Sequence, residues 1–273
     1  MKYSVENGGI RLFPYESFSL SDSLNCGQCF RFKEESGILS GMAGDIFISA
    51  VQNENGEIFF YNLSEKDFLE KIVPYFDLET NYDEIKKLFS KDETLKKAIE
   101  FCGGIRILRQ DPWEALCSFI ISQNNNIERI KGIISRLCEN FGEETENGYL
   151  FPTPQRLNGK ELSIIRAGFR DKYIADAVEK VLSGEINLSA IDKMNYNEAL
   201  ETLMKIKGVG VKVANCVLLY GFHKIEAFPV DVWIKRALEK FYENGFPKEF
   251  YEFGGIAQQY LFHYIRTKNI NIE

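Results

Sequence analysis

At 273 residues, 45% hydrophobic and 27% charged, the chain is long enough for two domains and has the composition of an ordinary globular protein rather than a fibrous or disordered one. No stretch approaches the roughly 18 to 20 apolar residues that a membrane helix needs, and MKYSVENGGIRLF has no apolar signal core, so a cytoplasmic protein away from membranes is expected. A net charge of −7 excludes a uniformly cationic nucleic-acid binder, but binding depends on local patches, and the acids gather mainly in 76–100.

The first 60 or so residues carry strand signals: GIRLF, CFRFK, DIFISAVQ and EIFFYN, separated by Gly, Asn and Ser turns. GEIFF after NEN reads as the hairpin partner of DIFISAV. From about residue 65 the apolar residues recur at helical spacing, in EKDFLEKIV, YDEIKKLF, WEALCSFIIS, IERIKGIISRLCENF, YNEALETLMKI, KVANCVLLYGF, VDVWIKRALEKFY and YEFGGIAQQYLFHYI. The expected fold class is therefore α+β. A small N-terminal antiparallel sheet domain (1–100) precedes a larger all-helical domain (101–273). Of the six cysteines, Cys26 and Cys29 form a CxxC, but no second pair follows at zinc spacing, and no cysteine follows Cys216 to complete a C-terminal iron–sulfur cluster. Most sit in apolar runs and read as buried reduced thiols; neither metal nor cofactor is expected.

Basic residues cluster in three short segments: Lys205, Lys207 and Lys212 in LMKIKGVGVKV, Arg166, Arg170 and Lys172 in IIRAGFRDKY, and Arg106 and Arg109 in GIRILRQ. The first of these is the most informative. A helix ending near Lys207 meets Gly208-Val209-Gly210, and a second helix begins at once. Such a helix-hairpin-helix offers free N–H groups to a phosphate at Gly208 and Gly210, although a plain helix–helix turn reads the same way. Lys212 falls in the first turn of the second helix. A cation there opposes the helix dipole, a poor place for a structural lysine and a good one for an amine nucleophile. Cys216, four residues on, shares its face. Asp231 follows Pro229 in AFPVDVW at a helix start, where an aspartate commonly only caps; as a carboxylate it also suits positive charge developing on a sugar.

KGVGVKVANC followed by FPVDVW resembles the helix-hairpin-helix glycosylase superfamily. GIRILRQDPWEALCSFIISQNNNIERI, GQCFRF, AGFRDKY and GGIAQQYLF, occurring in order over nearly the whole chain, are similar to the 8-oxoguanine DNA glycosylases in particular. The resemblance implies a base-excision enzyme with lyase activity acting on double-stranded DNA containing 8-oxoguanine opposite cytosine; a monomer is expected, as suits a protein that bends duplex DNA. It assigns nucleophilic attack at C1′ to Lys212 and support of the sugar to Asp231. The base is flipped into a pocket, where the Gly27 carbonyl accepts the N7–H that guanine lacks. Cys216 and Phe262 sandwich the base, Gln258 bonds its Watson–Crick edge, and Pro229 lines the pocket. Asn124 fills the gap left in the duplex, and Arg129 and Arg170 read the orphaned cytosine. Phe169 stands where the family often has a tyrosine beside that base, and Trp233 where it has a DNA-contacting histidine.

Two other readings stay open on sequence grounds. A superfamily glycosylase for another damaged or mispaired base is disfavoured by Gly27, Gln258 and Phe262. A non-catalytic helix-hairpin-helix DNA-binding module needs neither Lys212 nor Asp231.

Overall fold

The computed structural model describes residues 1–15 and 18–270. Six strands form one antiparallel sheet in the order β1-β2-β6-β5-β4-β3: β1 (Tyr3–Glu6), β2 (Gly9–Leu12), β3 (Phe32–Glu35), β4 (Ile38–Ala43), β5 (Ile46–Gln52) and β6 (Ile58–Tyr61). The expected hairpin is β5–β6, with Ala50 opposite Phe60 and Gln52 opposite Ile58. Asn53 closes its turn, its Oδ1 accepting from the amides of Asn55 and Glu57 at 3.0 Å each. Alternation buries Ile10 and Leu12, Ile48 and Ala50, and Ile58 and Phe60 on one face. The expected strand in CFRFK starts later, at Phe32, because Cys29 and Phe30 turn inward before the ladder begins.

A helical segment from Glu65 to Tyr75, with a π turn at Phe68–Ile72, lies across the sheet. Phe68 and Phe76 pack on Phe60 with ring centroids 5.9 and 6.2 Å apart. The sheet core thus takes residues up to Leu78, plus Leu108, and the helical core takes Tyr82 onward, plus Cys26 and Phe30. Between β2 and β3 the chain makes α1 (Leu20–Asn25) and then the loop holding Gly27. The helical part comprises α2 (Tyr82–Phe89), α3 (Glu93–Cys102), α4 (Pro112–Ser122), α5 (Ile127–Phe141), α6 (Asp171–Ser183), α7 (Tyr196–Met204), α8 (Val211–Gly221), α9 (Val232–Phe241) and α10 (Gly254–Thr267), with shorter turns between them. The first turn of α4 is set by Asp111, which caps Glu114, and by Pro112 at its start. Helices α4 and α8 are buried on nearly every side, as their continuous apolar sequences require. Among the described residues no helix is long and apolar enough to cross a membrane.

A buried carboxylate ties the two cores together. Asp77 accepts hydrogen bonds from Arg109 (2.7 Å), Thr80 (2.9 Å) and Tyr82 (3.0 Å), and His223, just past α8, approaches to 3.1 Å. Burial alone pushes the Asp77 carboxyl up, but His223, Arg109 and Thr80 outweigh it and hold the group below its usual range. A folded pKa below the unfolded one means that the stabilisation is complete at neutral pH and is lost as pH falls through the folded value. Asp77→Asn is expected to cost about 3 kcal/mol at pH 7. The deficit should shrink below the ordinary aspartate value of 3.8. Urea unfolding of both proteins across that range is the check, and a deficit independent of pH would remove the ion-pair explanation.

Candidate active site

The hairpin forms where the sequence places it. Asn195 and Glu198 make a reciprocal capping box at the start of α7. The turn after α7 is gripped by α6: Asp176 accepts from the Lys207 amide at 2.7 Å, and Lys180 donates to the Lys205 carbonyl. Gly208 has φ +79°, and a Cβ there would lie 2.3 Å from the Tyr173 ring, so both backbone and space demand glycine. Gly210 begins α8 in extended backbone with no side-chain cap, which leaves the first-turn amides available. The half-buried Lys212 extends its ammonium over the Phe119 ring, 5.7 Å from the centroid.

Asp231 is the N-cap of α9, its Oδ1 accepting from the Ile234 amide at 2.8 Å. Among the described residues it forms no salt bridge with Lys212. The two segments are held in register by Asn215, a buried polar residue within the apolar α8. Its Nδ2 donates to the Val211 carbonyl (2.9 Å), and its Oδ1 accepts from the Tyr196 hydroxyl (2.8 Å) and the Phe228 amide (3.2 Å). One side chain thereby joins α7, the lysine-bearing turn of α8 and the strand-like approach to Pro229. A buried Asn in VANCVLL was the sequence signal for it.

Lys212 and Asp231 open into a small cleft whose wall also contains Gly27, Cys216, Pro229, Gln258 and Phe262. Every residue expected from sequence as catalytic or base-contacting lies on this one surface. Gly27 sits at φ +90°, and a Cβ there would be 3.8 Å from Phe262 Cε1, so chain positions 235 apart meet. Gln258 is 4% exposed, and its Oε1 is buried without a hydrogen-bond partner. Burial pushes the Cys216 thiol up, partly offset by the Lys212 ammonium beside it. Cys26 and Cys29 point into different cores, the former with its thiol pushed up to about 12 by burial. The sequence reading did not single out Phe119, Tyr220 and Gln259, which complete the wall.

The residues expected to touch DNA lie outside the cleft. Asn124 is exposed at φ +46° in the α4–α5 turn, while Asn125 bonds back to Ile121 and Asn126 caps α5. Arg129, Phe169 and Trp233 are exposed. Arg170 is different: 2% exposed, it donates to the carbonyls of Gln123, Asn124 and Ala167 and lies over the Phe169 ring at 4.4 Å. Burial, and then the nearby Arg129 charge, lower its pKa.

Residues 11–116 match the 8-oxoguanine DNA glycosylase N-terminal domain, and residues 117–249 match the HhH-GPD superfamily of base excision DNA repair proteins. A probable N-glycosylase/DNA lyase of Methanothermobacter thermautotrophicus is 30% identical, over 81% of this chain and 83% of its own length. The chain belongs to the 8-oxoguanine DNA glycosylase family. The solved structure of MBOgg1 in complex with low affinity DNA ligand superposes with TM-score 0.90 at 42% identity, covering 98% of this chain and 100% of that one. Clostridium acetobutylicum 8-oxoguanine glycosylase/lyase, in complex with double-stranded DNA containing cytosine opposite 8-oxoguanine, gives TM-score 0.91 at 38% identity and 99% coverage of both chains.

The two hairpin glycines separate structural from binding roles. Gly208→Ala is expected to destabilise the fold by about 2 kcal/mol, because the left-handed backbone and the Tyr173 ring both resist a Cβ. Gly210→Ala, whose Cβ meets nothing within 4 Å, should leave thermal unfolding unchanged and weaken duplex binding by crowding a phosphate against the amides. Thermal scans and DNA titrations of the two variants test this; equal stability losses would refute it.

Proposed function

We propose that this chain removes 8-oxoguanine from duplex DNA opposite cytosine and then cleaves the abasic strand, using Lys212 as nucleophile. The observation that carries the reading is the convergence of Lys212, Asp231, Gly27, Cys216, Gln258 and Phe262, from four distant segments, on one cleft. A duplex substrate fits work in the cytoplasm, at the nucleoid if the cell is bacterial or archaeal.

The Lys212 amine, in its neutral form, attacks C1′ of the flipped nucleotide. The glycosidic electron pair leaves on the base, which takes a proton at N9. The ring oxygen then leaves C1′, giving a Schiff base, and loss of a C2′ proton expels the 3′ phosphate by β-elimination. Asp231, held by its cap bond, presents a carboxylate to the cationic sugar. The orphan Oε1 of Gln258 is an acceptor without a donor, and guanine's Watson–Crick edge supplies donors at N1 and N2. The Gly27 carbonyl distinguishes the lesion, since it accepts the N7–H of 8-oxoguanine and opposes the N7 lone pair of guanine. Phe262 and Cys216 face the two sides of the base.

Outside the cleft, Asn124 is presented by the left-handed turn that Arg170 secures through two carbonyls. With most Arg170 donors so engaged, the exposed Arg129 is the freer reader of the orphaned cytosine's acceptors.

Borohydride should trap a covalent complex with duplex containing 8-oxoguanine, and Lys212→Gln should bind the same duplex without being trapped. Binding with no trapping by the wild-type protein would instead leave a DNA-binding module. Arg129→Ala should reduce the preference for cytosine over adenine opposite the lesion by about tenfold, the share of one good base contact. Single-turnover excision from the two duplexes measures it.

A further inference from the structure

The far wall of the cleft contains a buried polar chain that the nucleophile and the base contacts do not account for. Gln259 is 1% exposed and Tyr220 is 4% exposed. The Tyr220 hydroxyl donates to Gln259 Oε1, and Gln259 Nε2 donates to the Cys26 carbonyl at 3.2 Å. The direction of this chain is fixed. With its oxygen accepting from tyrosine, the Gln259 amide must turn its N–H toward residue 26, the peptide immediately preceding Gly27. Burial raises the Tyr220 pKa well above its ordinary value, so the hydroxyl stays protonated and a donor throughout the working range.

The same tyrosine reaches the nucleophile by its other face. Its ring stacks on Phe119, with centroids 5.2 Å apart and planes 19° from parallel, and Lys212 lies over Phe119 on the cleft side. Tyr220 therefore touches, through one neighbour on each side, both the lysine and the loop that carries Gly27. Gly27 itself adopts φ +90°, a conformation with a shallow preference in glycine, so the loop needs an outside hold to aim its carbonyl in one direction. Gln259 supplies that hold from α10, an element remote in sequence.

We infer that Tyr220 and Gln259 are positioning residues that fix the Gly27 carbonyl and thereby set discrimination between 8-oxoguanine and guanine. The inference rests on the proposed reading of Gly27 and goes beyond it. Neither side chain needs to contact the base. Breaking the chain releases the peptide before Gly27, so that its carbonyl no longer meets the N7–H in line.

The test compares two activities of each purified variant. Excision of 8-oxoguanine requires base recognition, whereas strand cleavage at a preformed abasic site requires Lys212 but no base. Tyr220→Phe keeps the ring stack and removes only the hydroxyl; Gln259→Leu keeps bulk and removes both amide contacts. For each, the ratio of excision rate to abasic-site cleavage rate should fall about tenfold, as expected when a buried hydrogen-bond chain that orients a reacting group is broken. The preference for 8-oxoguanine over guanine, read by competition binding to duplexes with Lys212→Gln as background, should fall in parallel. Because the two residues act as one unit, the double variant should be no worse than the weaker single variant. An unchanged ratio in Tyr220→Phe would overturn the inference, and so would losses in the two single variants that multiply in the double. Equal loss of both activities with a lowered unfolding temperature would assign the pair a merely structural role and overturn it as well. A wild-type protein that cleaves abasic sites but never excises 8-oxoguanine would instead defeat the reading of Gly27, a distinguishable failure.

Discussion

The cleft exists because a buried glutamine holds a loop of the sheet half against the helical half. Gln28 is fully buried, and its side-chain amide makes three main-chain bonds: Nε2 to the carbonyls of Ser23 and Arg106, both at 2.8 Å, and Oε1 from the Leu108 amide at 3.0 Å. Gln110 returns the clasp, donating to the Gln28 carbonyl at 2.7 Å, while its own amide donates to the Tyr220 carbonyl at 2.8 Å. The extended segment 105–110 is therefore a bridge with the Gly27 loop on one side and α8 on the other. Each of these groups would cost about 1–3 kcal/mol if left buried and unpaired, which fixes residue 28 and leaves the peptide before Gly27 to the Gln259 contact. The distance from Gly27 to Lys212 is set by main-chain bonds, not by the flexible side chains that line the cavity.

Around this frame the protein solves an electrostatic problem that its composition poses. The chain is acidic overall, yet Lys212 and the uncapped start of α8 stand at the cleft, and Arg129, Phe169, Val211, Val230, Val232 and Trp233 are exposed outside it. Exposed apolar groups beside cations suit a partner with charged edges and stacked faces. Beneath the mouth the environment turns dry. The Cys216 thiol and the Tyr220 hydroxyl, both on the cleft wall, are pushed up by burial. A base entering that space loses water, and so its few polar contacts count for more than they would in solvent.

Much of this was legible in the sequence, and the misses have physical causes. The β5–β6 hairpin and helices such as α4, α5 and α8 announce themselves by apolar period and by caps, which are local properties. Strand β4, ILSGMA, carries no alternation to read, since Gly41 interrupts it and the adjacent Met42 and Ala43 are both buried. Strand β1, YSVE, runs straight into the Asn7-Gly8 turn and is too short to show a period. The site residues Lys212 and Asp231 were visible through glycine, proline and helix-start chemistry, while Gly27, Gln258 and Phe262 were visible only through resemblance. Tyr220, Gln259, Asn215 and Gln28 were not singled out, because a buried polar residue earns its meaning from a partner dozens or hundreds of positions away. The sequence shows the residue and hides the partner. Arg170 illustrates the converse: a surface-looking arginine proves to be packed under a turn, spending its donors on the backbone that presents Asn124.

Asp231 posed the sharpest ambiguity, between a helix cap and a participant in chemistry, and the geometry shows that the two are compatible in one side chain. The cap bond from the Ile234 amide to Oδ1 restricts the rotation of the carboxylate, and Asp231 lines the cleft wall together with Lys212. A carboxylate fixed in this way pays no reorganisation cost when positive charge appears on a sugar, which is the condition for electrostatic stabilisation to be effective. Lys212 stands at the start of α8, where the absence of a side-chain cap leaves the first-turn amides free for an anion. Each helix start thus places one reactive group, and Asn215 holds the two starts to one another. A single buried amide in the middle of α8 is what converts two ordinary helix termini into a pair.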